Sequence, residues 1–154
     1  MIQQFVDNWF KNEAATRAAF EAKRPDEYID IVRAAVRAMV HEDDPDYWDS
    51  AFPDPARIHE IDDGHYQGTK LYVIGETGYQ PDVYWYVRVA YGSCSGCDTL
   101  QRLSETGWNW EDEWTGEPSA DPVASKARID GYMTMALHVV QQFRRIEGGV
   151  VNND

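Results

Sequence analysis

The chain has 154 residues, 43% hydrophobic and 13% aromatic, enough for one globular domain with a sizeable core. Its 14 Lys and Arg stand against 27 Asp and Glu, a net charge of −13 that excludes an ordinary nucleic-acid backbone binder, so no direct nucleic-acid partner is expected. No apolar run is long enough to cross a bilayer, and Met1 to Asp7 lack the basic and apolar stretches of a secretory signal; a cytoplasmic protein without a membrane partner is expected.

Ile2, Phe5, Val6, Trp9 and Phe10 recur at helical spacing, and the Ala-rich stretch from Glu13 to Lys23 has high helix propensity, predicting a helix over residues 2–23. Pro25, followed by Asp26 and Glu27, marks a second start, and Tyr28, Ile31, Val32, Ala35, Met39 and Val40 form an apolar stripe for a helix over residues 25–41. From Glu42 to Pro55, the prolines at 45, 53 and 55 exclude a helix or a central strand and predict an acidic connecting loop.

Beyond that loop the period changes to two. Ile58 and Ile61 begin a strand, Asp62-Asp63-Gly64 supplies a hairpin turn with a positive φ at the glycine, and Leu71 and Val73 carry the next strand. After a turn from Gly75 to Asp82, Val83, Trp85, Val87, Val89 and Tyr91 share one face, with Tyr84, Tyr86, Arg88 and Ala90 on the other. The short links make residues 56–92 a three-stranded antiparallel meander.

A short helix is predicted over residues 97–106. Asp121 as cap and Pro122 at the first helical position open a long helix over residues 121–147, with the stripe Ile129, Tyr132, Met133, Ala136, Val139, Val140 and Phe143 and with Arg144 and Arg145 at its cation-favouring end. The expected fold is a single α+β domain. Two N-terminal helices and the long C-terminal helix pack on one face of the three-stranded meander.

Cys94-Ser95-Gly96-Cys97 lies between a strand and a helix start, where backbone amides can lower a thiol pKa below about 8.5. This order resembles the redox turn of thioredoxins, which implies dithiol chemistry at Cys94 and Cys97. The flanking tryptophan and the facing proline of that family are missing, and a meander precedes the pair. A zinc site is the other chemical reading, with His59 and His65 flanking the first hairpin turn and completing a Cys2His2 set. The structural alternative makes both cysteines small packing residues beneath a turn built by Gly92, Ser93, Ser95 and Gly96. The string Tyr91-Gly92-Ser93-Cys94-Ser95-Gly96-Cys97-Asp98-Thr99-Leu100 resembles one in small bacteriophage and prophage proteins without an assigned activity, which implies a phage context.

Carboxylates cluster at Asp43, Asp44, Asp46 and Asp49 and again at Glu111, Asp112 and Glu113, the latter interleaved with Trp108, Trp110 and Trp114. Such a surface would attract a basic protein, and its tryptophans would anchor the contact. The expected function is therefore a non-enzymatic, acidic interaction protein of phage type that blocks a nucleic-acid-handling host or defence factor, with the thiols as scaffold and no cofactor. A further alternative is a small-nucleotide binder, in which Tyr84 and Tyr86 stack a base and Arg88 pairs a phosphate; otherwise those residues pack beneath a helix. His138, inside the last helix, reads as a boundary residue. Neither a nucleophile elbow, a phosphate loop nor a dinucleotide fingerprint is present.

Overall fold

The structure, a computed structural model, describes residues 2–41, 51–94, 96–105 and 121–146. In chain order it comprises α1 (Ile2–Ala22), α2 (Tyr28–Ala38), β1 (Pro53–Asp62), β2 (Gly68–Glu76), β3 (Tyr84–Tyr91), α3 (Thr99–Glu105), α4 (Pro122–Gln142) and β4 (Arg144–Ile146). The class is α+β. The sheet is antiparallel and has four strands rather than three, in the order β1-β2-β3-β4.

α1 buries Phe5, Trp9, Thr16 and Phe20 along one stripe, whereas Phe10, counted in that stripe by spacing, is 57% exposed. The start of α2 falls at Tyr28 because Glu27 is its cap: the Asp30 carboxylate, three residues on, accepts the Glu27 N–H at 3.1 Å. Pro25 therefore precedes the helix instead of opening it. α2 ends at Ala38 rather than 41 because α1 takes up its last carbonyls. Asn8 Nδ2 donates to the Met39 carbonyl at 2.9 Å, and Asn12 Nδ2 donates to those of Ala38 and Val40 at 3.0 Å.

β1 begins at Pro53, inside the stretch expected to be loop. It is an edge strand, where the missing N–H of a proline costs no ladder bond, and a register irregularity between Pro53 and Ile58 accommodates Pro55. The turn between β1 and β2 spans residues 63–67 and uses no positive φ at Gly64; among the described residues, Gly78 alone has one, at +119°. The pairing sets Ile74 opposite Trp85 and Tyr72 opposite Val87, so the core face of β2 is Tyr72 and Ile74, not Leu71 and Val73.

Where a longer C-terminal helix was expected, the chain leaves α4 at Phe143, whose φ and ψ of −62° and 129° are extended. Phe143 stacks on Trp85 with ring centroids 6.1 Å apart and meets Phe5 edge-on at 5.8 Å. Burying such a ring contributes about 2–3 kcal/mol, against which a further exposed helical turn offers little. Arg144, Arg145 and Ile146 then pair with Tyr86, Trp85 and Tyr84. α2 and α4 lie over the sheet, while α1 packs on those two helices and reaches the sheet through Phe5 on Trp85. The other face of the sheet is open as far as the described residues go, with no described helix on it, and exposes Ile61, Tyr84 and Ile146.

Candidate functional site

The cysteine turn follows β3 and is closed by one side chain. The Gly92 N–H donates to Asp98 Oδ2 at 2.9 Å, and Asp98 Oδ1 accepts the Gln101 N–H at 2.8 Å in the first turn of α3. Within that ring the Cys97 and Asp98 amides both donate to the Cys94 carbonyl, at 3.0 and 2.8 Å. Gly92 is needed for room rather than for an unusual backbone angle: a Cβ there would lie 2.7 Å from Cys97 Sγ and 2.6 Å from the Cys97 carbonyl oxygen.

Both cysteines are exposed, which overturns their assignment as packing residues beneath the turn. Their sulfurs lie 2.7 Å apart, and the Cys94 N–H donates to Cys97 Sγ at 3.0 Å. The hydrogen bond from Cys94 Sγ, helped by the Cys94 amide, holds the Cys97 thiol below its ordinary value. Thiolate is the nucleophile in exchange chemistry, so Cys97 is the residue of the pair poised to attack.

Gly92 and Asp98 also line a cleft of about 420 Å³ beside the turn, bordered by Asp26, Glu27, Asp62 and Lys70. The Tyr91 hydroxyl donates to Asp62 Oδ1 at 2.7 Å; this bond holds the Asp62 carboxyl below its usual range and pushes Tyr91 up to about 12. Lys70 Nζ lies 2.9 Å from Glu60, 4.0 Å from Asp62 and 5.6 Å from the Tyr91 ring centre. On the cleft wall, Tyr28 accepts the Leu100 N–H at 3.4 Å, and burial pushes its phenol up to about 12.

The remaining sequence candidates scatter. Strand alternation puts His59 on the open face of the sheet and His65 in the exposed turn after β1. Among the described residues no three His, Cys, Asp or Glu side chains gather as a metal site, so Cys94, Cys97, His59 and His65 do not form the four-ligand zinc set. Tyr84, Tyr86 and Arg88 do share a face, opposite Gly75, Val73 and Leu71, but it is the open one, not a face beneath a helix. Asp43, Asp44, Asp46, Asp49, Trp108, Trp110, Glu111, Asp112, Glu113 and Trp114 lie outside the described residues. Asp98 was missed as a site residue. Its signal was available: an Asp directly before the Thr-Leu-Gln helix start is a capping type.

No family model matches the chain, and neither a curated protein nor a solved structure is similar to it. Among the described residues no helix is long and apolar enough to cross a membrane.

Proposed function

We propose that the Cys94–Cys97 turn is a thiol–disulfide exchange site. The observation that carries this reading is the pair of exposed sulfurs 2.7 Å apart, with Cys97 Sγ accepting the Cys94 amide. The Cys97 thiolate attacks one sulfur of an external disulfide, low-molecular-weight or protein-borne, forming a mixed disulfide and releasing one thiolate. The Cys94 thiolate then attacks Cys97 Sγ, the intrachain bond forms, and the second external sulfur leaves. Two electrons pass from the pair to the external disulfide, and the two protons shed by the cysteines end on the two departing thiols.

The test is equilibration of the full chain in glutathione buffers of graded ratio, with free thiols trapped by alkylation and counted by mass. Exchange chemistry gives a two-electron transition in which both thiols are lost together, tenfold in ratio for about 30 mV. Stable glutathione adducts on single cysteines, or thiols that stay reduced throughout, would contradict it.

A second reading keeps the chain as an acidic docking protein of phage type for a basic partner. It is supported by the 27 acidic against 14 basic residues and by the cleft in which Asp26, Glu27 and Asp62 surround one lysine. Joint replacement of both cysteines by serine separates the two readings: exchange is abolished, whereas salt-sensitive capture of a basic protein is retained.

A further inference from the structure

Between the end of β4 and the thiol turn, the edge of β3 pairs with no strand among the described residues. β4 pairs only with Tyr84, Trp85 and Tyr86, because its first residue, Arg144, emerges directly from the end of α4. The ladder determines which backbone groups are left. The Glu76 N–H donates to the Val83 carbonyl, so the odd-numbered residues of β3 turn their amides toward β2 and the even-numbered ones turn away from it. Tyr84 and Tyr86 therefore face β4, and Gly92, further on, is answered by Asp98. Between them, the N–H and C=O of Arg88 and Ala90 point past the end of β4 and have no partner among the described residues. Unpaired edge groups of this kind normally find a partner or are covered.

These groups border a pocket of about 200 Å³ between β3, α2 and α4. Its floor is apolar and buried, formed by Ile31, Val32 and Val139, its mouth carries the exposed His138 and Gln142, and the Arg88–Ala90 edge of β3 borders it. Among the described residues no carboxylate lines it. Neither Arg88 nor His138 forms an ion pair among the described residues. An apolar floor with a few convergent polar groups is the usual composition of a small-molecule site.

We propose that this pocket binds a small organic monoanion with an apolar body, such as a short-chain or aromatic carboxylate. The body lies on Ile31, Val32 and Val139, and the carboxylate accepts hydrogen bonds from the outward amides of Arg88 and Ala90. A pocket of this size does not hold a whole nucleotide. The site is separate from the thiol pair, and its occupation does not depend on the exchange reading.

The test is titration of the full chain with benzoate and with hexanoate, followed by amide NMR shifts, with benzyl alcohol as the uncharged comparator. Saturable shifts confined to Arg88, Val89, Ala90 and the adjoining turn of α4 are expected, with benzyl alcohol weaker by about tenfold or more. Val139→Trp should fill the pocket and abolish benzoate binding. The titration of the unaltered chain with its uncharged comparator decides the matter even where V139W does not fold. Absence of saturable shifts, shifts centred elsewhere, equal binding of benzyl alcohol, or a folded V139W variant with unchanged affinity would each overturn the proposal.

Discussion

The Gly92 amide donates to the Asp98 carboxylate at 2.9 Å, a single bond that closes the thiol turn from the last residue of the strand side to the first residue of the helix side. Asp98 is 7% exposed and also holds the Gln101 amide, so two backbone donors lose their acceptor if it is truncated. Asp98→Ala is expected to cost about 2–3 kcal/mol in urea unfolding and Asp98→Asn less, since the amide oxygen still accepts one bond. In D98A the two cysteines should also form their disulfide more slowly, because the turn that carries them is no longer tied to Gly92 and to the first turn of α3.

The lowered pKa of Cys97 makes a second expectation. The leading cause is the hydrogen bond from Cys94 Sγ, so Cys97 alkylation should follow a pH profile with its midpoint below that of a free thiol, and Cys94→Ala should move the midpoint back up. The sign for stability follows from the same shift. A depressed thiol pKa contributes above the ordinary thiol value and is lost as pH falls through the folded value. Iodoacetamide rates across pH on the wild type and C94A check this, and identical midpoints would count against the assignment of Cys97 as the attacking residue.

Tyr28 and Tyr91 should titrate late. Burial raises Tyr28 to about 12, and the Asp62 carboxylate beside its hydroxyl raises Tyr91 to about 12. A raised phenol pKa stabilises the fold below the unfolded value of about 10, and that contribution disappears as pH rises through the folded value. Ultraviolet titration should show Tyr28 and Tyr91 ionising after the exposed tyrosines and before Tyr72, which burial raises further still, and Asp62→Asn should bring Tyr91 down while leaving Tyr28 in place.

Gly131 is where α3 docks. A Cβ at this position would run into the Leu103 methyl groups, one of them at 2.7 Å. Gly131→Ala gains about 1 kcal/mol of helix propensity yet forces Leu103 to shift, so the net change should be a destabilisation of about 1 kcal/mol. Leu103→Ala in the same chain should recover the helix gain, and a double-mutant cycle by chemical unfolding measures the coupling. Additive effects would mean that the two residues do not meet.

Much of this architecture was legible in the residues themselves, and the misses have physical reasons. Asp121 and Pro122 opened α4 where their capping chemistry required, the Asp121 side chain accepting the Val123 N–H at 3.3 Å. Trp85 and Val87 gave the inner face of β3 because their neighbours Tyr84, Tyr86 and Arg88 are less apolar. β2 offered no such contrast: Leu71, Tyr72, Val73 and Ile74 are all apolar, so only pairing with β3 decides which two face the helices. β4 left no trace because neither proline nor glycine separates it from α4, and the helix ends for a tertiary reason, the fit of Phe143 on Trp85. At the site, the spacing of Cys94 and Cys97 was plain, but their exposure and contact are facts of the folded turn, as is the failure of His59 and His65 to reach them.

Phe143 tests that tertiary reason. Phe143→Ala removes the stack on Trp85 and the edge contact with Phe5 and should cost about 3–5 kcal/mol. Hydrogen exchange should show the Tyr84 and Tyr86 amides losing protection first, since β4 is held to them by three paired residues and by that ring.

The most direct measurement is the redox titration of the intact chain with mass-resolved counting of thiols. Loss of two hydrogens as one species, with Cys94 and Cys97 joined and no lasting glutathione adduct, is the result that an exchange site must give. A chain that keeps two free thiols at every ratio, or that accumulates adducts at one cysteine alone, would contradict it.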